Sequence, residues 1–261
     1  MSKEYEIITA LVSPNPYSRP QSKMLGIRGI AIHWVGNANS KAINNRHYFN
    51  NLPETNKTLK AQGKPLRYAS SHEIIGLDGE VVICLPKDEV AFHVGANSYK
   101  PRVKTLLDNS PNRYLYGIET CHPDWEGKFN DKTYRTLVNR SADLLIEFDL
   151  KPSKDTIWRH FDVTGKDCPH YYVKNPSAWD KLVADITKRY HEKINIKTDE
   201  VIKVALAKWQ EEMGKKSLEN LSKKKDGNGD LIVNKPEDWK KTLGEDVPQW
   251  LFWSIVDRIT N

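Results

Sequence analysis

Apolar residues alternate along RGIAIHW (residues 28–34), the two-residue period of a buried strand, and NSKAINNRHYFNNL (39–52) behind it reads as a helix. In SSHEIIGLDGEVVICL (70–85) two apolar runs meet at Asp78-Gly79, a pair that supplies the positive φ of a type I′ hairpin turn. YLYGIETC (114–121) and DTIWRH (155–160) are two more short strands. From an N-cap at Asn130 or Asp131, Tyr134, Leu137, Val138, Leu144, Leu145 and Phe148 recur at helical spacing. NPSAWDKLVADITKRYHEK (175–193) closes the unit as a helix. Strands interleaved with helices, one pair joined as a hairpin, predict an α/β fold with a mixed β-sheet covered by helices.

The polar stretch HEKINIKTDE (191–200) lacks a core pattern. It divides the chain into residues 1–193, a linker at 194–198 and a second unit at 199–261. In that unit Val201, Val204, Ala205, Trp209, Met213, Leu218 and Leu221 mark one helix. Pro236 and Pro248 stand where a second and a third would start, so a small all-α bundle is expected.

Composition narrows the classes. A hydrophobic content of 38% with eight Trp and eleven Tyr suffices for a packed core. No run approaches the roughly 20 apolar residues a bilayer span needs, which argues against membrane insertion. Residues 197–261 carry twelve basic and twelve acidic side chains, so the whole formal excess of +6 falls on residues 1–196. A basic surface suits a polyanion, either nucleic acid or an anionic wall polymer. No nucleic-acid motif accompanies it. Three cysteines are too few for a disulfide framework and leave a thiolate free to act as a ligand. Cys84 and Cys121 sit in apolar strands and read as small core residues.

RHFDVTGKDCPH (159–170) concentrates the candidate chemistry. It is either a polar turn or half of a metal site. Catalytic zinc takes three protein ligands and leaves a fourth position for water. His160 and Cys168, eight residues apart across a glycine-containing loop, can supply two. The third must come from a distant element, and His33, at the end of an apolar strand, is the candidate; its competing role is that of a satisfied core histidine.

GIAIHW, ASSHEIIGLDGEVVICLPKDEVAFHVG, YGIETC and RHFDVTGKDCPH follow one another in an order that resembles zinc-dependent N-acetylmuramoyl-L-alanine amidases of the type-2 amidase and peptidoglycan-recognition superfamily, particularly phage endolysins and autolysins of Gram-positive bacteria. The resemblance covers roughly residues 20–190. It implies a sheet of five or six strands with helices on both sides, zinc held by His33, His160 and Cys168, and peptidoglycan as substrate. Glu119 then corresponds to the acidic residue that moves the proton, and Lys166 to a basic residue that stabilises the oxyanion or, alternatively, is a solvated loop lysine. Some phage relatives place a catalytic tyrosine where this chain has Ser71, which leaves the proton work to Glu119. His93 lies in a block that lines the substrate groove in relatives, so it either contacts substrate or supports a ligand. His72 reads as structural. Members without the cysteine ligand bind peptidoglycan without cutting it, and Cys168 argues against that class here.

The start, MSKEYEIITALVSPNPYSRP, has one basic residue before a short, interrupted apolar stretch, which argues against a signal peptide. A lysin held in the host cytoplasm until a membrane pore releases it is the resulting expectation. VPQWLFWSIVDRI (247–259) carries Trp250, Phe252 and Trp253 too densely for one buried stripe. Wall-polymer binding, a dimer contact and a helical core are its three readings. DGNGDLIVNKPE (226–237) places Asp226, Asn228, Asp230, the carbonyl of Ile232, Asn234 and Glu237 on the ligand positions of a calcium loop, with Leu231 where a glycine normally turns the chain. Its alternative is a simple turn at Asn228-Gly229.

Overall fold

The structure is a computed structural model and describes residues 4–233, 235–240 and 256. It divides into two compact units, Met1–Ile194 and Asn195–Asn261. The larger unit holds the strands β1 (Ile7–Thr9), β2 (Gly29–Ile32), β3 (Glu73–Ile75), β4 (Val81–Ile83), β5 (Leu115–Thr120) and β6 (Ile157–Arg159). Its helices are α1 (Ala42–Asn50), α2 (Leu52–Ala61), α3 (Pro101–Leu107), α4 (Asp131–Glu147), α5 (His160–Thr164) and α6 (His170–Lys174); α7 (Pro176–Leu221) begins in it.

The strands form one sheet in the order β1-β4-β3-β5-β2-β6, antiparallel only at β3–β4. This is the mixed six-stranded sheet with helices on both faces. Strand β2, between β5 and edge strand β6, is buried at every position, as a parallel strand covered on both sides must be. Its Ile30 and Ile32 pack with Tyr116, Leu144, Trp179 and Leu182 on one face, where α4 and the start of α7 lie. Ala31 faces the opposite way, toward Val103 and Leu107 of α3 and the ring of Trp158. Edge strand β1, three residues long and exposed throughout, has too little pattern to be read from sequence.

The β3–β4 hairpin departs from the expected two-residue turn. Gly76 N–H bonds Glu80 O at 2.8 Å across a three-residue loop, and only Gly79, at φ +84°, is left-handed. A turn followed by a left-handed glycine bulge is the usual geometry for that loop length. Helix α4 then seals it: Thr133 and Thr136 donate their hydroxyls to Gly76 O and Gly79 O, each at 2.9 Å. The helix starts as expected, the Asn130 side chain accepting from Thr133 N at 2.9 Å. Its Arg140 reaches down to Glu73, which is fully buried in β3. The guanidinium meets Glu73 Oε2 at 2.8 Å, and the Tyr116 hydroxyl adds a bond of 2.9 Å.

Residues 194–198, expected as a linker, lie within α7, because the stretch is polar but free of glycine and proline. In the smaller unit Leu218, Ile232 and Val233 are buried together, with Leu221 and Trp239 against them. Helix α8 (Pro236–Lys240) opens at the expected proline. Trp250, Phe252, Trp253 and Pro248 lie outside the described residues. Among the described residues no helix is long and apolar enough to cross a membrane.

Candidate metal centre

Strand register brings the site together. Ile32 of β2 is level with Arg159 of β6 on one side and with Ile118 of β5 on the other. The next residue along each strand is His33, His160 and Glu119. Three neighbouring parallel strands therefore present these side chains side by side at their carboxyl ends, where open α/β sheets place their ligands. Cys168 returns to the same point on the loop after α5. That helix is held at its start by Arg159 and Asp162, whose N–H to Oδ2 and Nη2 to Oδ1 distances are 2.9 and 2.8 Å, and it ends at left-handed Gly165, φ +86°. A bond of 3.0 Å from Phe161 N to Cys168 O fixes the return.

His160 Nδ1 and Cys168 Sγ lie 3.2 and 3.7 Å from His33 Nδ1, and the three donor atoms fall within 4.8 Å of one another. All three residues are buried on the wall of a cavity of about 1030 Å³ that also admits Glu119 and Lys166. Desolvation holds His33 well below the ordinary histidine range and His160 down to about 3, the latter assisted by the Lys166 charge. Both imidazoles are neutral at pH 7, as metal ligation requires. Desolvation pushes the Cys168 thiol up to about 12, with the Glu119 charge adding to it.

His93 explains which nitrogen of His33 is offered. Its Nε2 lies 3.0 Å from the carbonyl of Leu115, an acceptor only, so that nitrogen carries the proton. Nδ1 of His93 is then an acceptor and takes the Nε2–H of His33 at 3.0 Å. His33 is left with a bare Nδ1 aimed at His160 and Cys168. Both ring nitrogens of His93 are spent, so of its two expected roles the geometry favours support of a ligand. Gly117 makes room for this ring: a Cβ there would sit 2.7 Å from His93 Cγ. His72 is structural, its Nδ1 accepting from Gly117 N and its Nε2 donating to Glu89 O, both at 2.9 Å. Ser71 spends its hydroxyl on Glu73 O at 2.9 Å.

The donor set fits zinc: two neutral nitrogens and one sulfur converge, and Glu119 Oε2 beside them is buried without a hydrogen-bond partner. Burial pushes Glu119 up to about 8, opposed by the Lys166 ammonium. A dication in the centre would act in the same direction as Lys166, returning the carboxyl to a form that accepts a proton at neutral pH. Lys166 itself is exposed on the cavity rim. Cys84 and Cys121 are buried core residues.

The loop 226–237 does not form a second such group. Among the described residues the carboxylates of Asp226, Asp230 and Glu237 do not converge, and Asn234 lies outside those residues. The left-handed turn falls on Gly229, φ +87°, rather than on Leu231. Asp226 N therefore closes on Asp230 O at 2.8 Å, and Asp226 Oδ1 accepts from the N–H groups of Asn228 and Asp230 at 3.1 and 3.0 Å. Ile232 is buried in the small core. The described residues show the turn at Asn228-Gly229 and lend the calcium expectation no support.

Sequence reading missed one cluster next to this centre. Trp34 is stacked between His122 and His170, with centroids 4.5 and 5.3 Å away, and meets Trp125 edge-on at 6.4 Å. No local spacing ties these four residues together.

Comparison with known proteins agrees with the geometry. A family model described as N-acetylmuramoyl-L-alanine amidase matches residues 23–171. A probable N-acetylmuramoyl-L-alanine amidase of Bacillus licheniformis is 32% identical over 187 residues, covering 70% of this chain and 49% of its own length. N-acetylmuramoyl-L-alanine amidase BlyA of Bacillus subtilis (strain 168) is 31% identical over 173 residues, 62% of this chain and 41% of its own. The chain thus spans about half the length of the curated relatives it matches or less. Among solved structures, a mutant endolysin from Bacillus subtilis shares the fold with a TM-score of 0.52 at 23% identity, over 70% of this chain and 99% of that one.

Proposed function

Since the chain belongs to the N-acetylmuramoyl-L-alanine amidase family, we propose that its larger unit is a zinc-dependent peptidoglycan hydrolase that cuts the amide between the lactyl group of N-acetylmuramic acid and the L-alanine of the stem peptide. The observation that carries this reading is the convergence of His33 Nδ1, His160 Nδ1 and Cys168 Sγ on a cavity wall beside the unpartnered carboxylate oxygen of Glu119. These three residues would hold the metal. When bound, zinc supplies Lewis acidity, polarising an amide carbonyl and lowering the pKa of water. Glu119 takes the proton of the attacking water at Oε2 and delivers it to the leaving amine. The Lys166 ammonium, at the cavity rim, faces the negative charge that develops on the carbonyl oxygen. His93 holds the His33 ring in the one tautomer that can ligate.

The reading extends to an endolysin whose smaller unit attaches to wall polymers; its support is the aromatic density at Trp250, Phe252 and Trp253 in the sequence. Purified cell walls provide the test. New free amino groups and soluble stem peptides should appear, stop on chelation and return with added zinc. New reducing sugar ends without amines would replace the amidase with a glycosidase, and binding without release would replace it with a recognition protein.

A further inference from the structure

Trp125 is 65% exposed, more than any other large apolar side chain among the described residues. An indole exposed to this degree forfeits the larger part of the roughly 150–250 Å² that an aromatic side chain can bury, so its position calls for a reason. It is not on a loose loop. Asp124 Oδ1 accepts from Glu126 N at 3.0 Å, Asp124 O from Gly127 N at 3.1 Å, and Gly127 is left-handed at φ +74°. His122 ties the same turn down, its ring nitrogens 2.5 Å from Asp124 O and 2.7 Å from Val35 O. A Cβ on Gly127 would come within 2.6 Å of the Trp34 ring, so the turn lies directly on that indole.

Trp34 links Trp125 to the metal centre. It follows His33 in the chain, lines the same cavity, and is sandwiched between His122 and His170, the latter two residues beyond Cys168. The aromatic wall is thus built on the two arms that carry the zinc-ligand candidates, and it continues past the cavity to an exposed indole. The turn around that indole is polar, with Asp124, Glu126 and Lys128 exposed beside it or near it. One rigid indole edged by hydrogen-bonding side chains matches one pyranose ring, which offers an apolar C–H face and a hydroxylated rim. A protein partner needs a far larger apolar area.

We infer that Trp125, supported by Trp34, is a stacking subsite for an N-acetylhexosamine ring of the glycan strand beyond the muramyl residue being cut. The inference rests on the amidase reading of the cavity, and the test separates the two. The 261-residue chain is titrated with the β-1,4-linked N-acetylglucosamine tetramer, which has no amide of the scissile type, and binding is followed by tryptophan fluorescence and calorimetry. Saturable binding that weakens between about two- and tenfold in Trp125→Ala, with partial recovery in Trp125→Phe, is expected, the scale of one lost aromatic contact. In parallel, kcat/KM is measured on polymeric walls and on a muropeptide with a single muramyl residue. The ratio of the two should fall by a similar factor in Trp125→Ala. No tetramer binding by the native protein, or equal affinity in native and Trp125→Ala proteins, overturns the subsite. A native protein that binds the tetramer but cleaves neither substrate refutes the amidase reading and leaves the sugar site standing.

Discussion

Replacing His93 tests whether one unligated ring controls metal affinity. In His93→Ala the acceptor for the His33 Nε2–H, 3.0 Å away in the native protein, is gone, and so is the bond from His93 Nε2 to Leu115 O. Both rings line the cavity, so only water entering the vacated space can replace the acceptor, and water, which donates as readily as it accepts, does not enforce the tautomer. Leaving the His33 donor unpaired costs about 1–3 kcal/mol, and the ring can recover that by moving its proton to Nδ1, the nitrogen the metal needs. Either outcome weakens zinc by roughly 10- to 100-fold, the range seen when such supporting partners are removed. Gly117→Ala perturbs the same ring without altering it chemically, because the new Cβ would come 2.7 Å from His93 Cγ, and it should weaken zinc in the same direction. Competition with a chelating dye measures the affinity, and circular dichroism confirms that each variant is folded. A folded His93→Ala protein whose zinc affinity lies within twofold of the native value would refute the tautomer argument.

Glu119→Gln should keep zinc and fold yet lose about 10²-fold or more in turnover, the scale for a positioned general base; turnover on purified walls near the native value would move the proton to another group. His72, pushed down to about 4 by burial, stays neutral in the folded chain, so its contribution is fully present above pH 6.5 and is lost as pH falls toward 4. Removing it in His72→Gln should shrink the drop in unfolding free energy across that window by about 3 kcal/mol, read from denaturant melts at each pH. Arg140→Met strands the buried Glu73 carboxylate at a cost of about 3–5 kcal/mol, or about 6–20 °C in Tm for a unit of this size, and Glu73→Gln in the same chain should recover most of it.

What the sequence revealed and what it hid follow from where each signal resides. The alternation in GIAI and the N-cap at Asn130 are local, so β2 and α4 are legible as written. The buried face of α4 is another matter: Thr133, Thr136 and Arg140 lie inward because hairpin carbonyls and Glu73 await them, and no hydrophobicity pattern announces a polar interior. On residue type alone His33, His160 and Cys168 stayed open, because a core histidine and a polar turn explain them as well; the resemblance made them one expected set, and the structure brings the three side chains together. For His93 the sequence offered two roles and could not choose between them, because the choice depends on which ring nitrogen the Leu115 carbonyl, 22 residues further along the chain, leaves free.

The register of β6 also explains why the centre tolerates a short, three-residue strand there. Only the pairing of Ile30 with Ile157 through Ile32 with Arg159 is needed to set His160 beside His33. A slip by one residue would turn His160 to the opposite face of the sheet. Core packing opposes that slip. Trp158, fully buried in β6, packs with Ala31, Leu115 and Val163, and it would exchange places with a neighbour suited to the other side. A Cβ at Gly29 would come within 2.8 Å of Thr156 O, so the glycine lets the chain entering β6 approach this closely. Core packing on one face of the strand thereby positions the side chain at its end, and the placing of His160 beside His33 is held by residues outside that group.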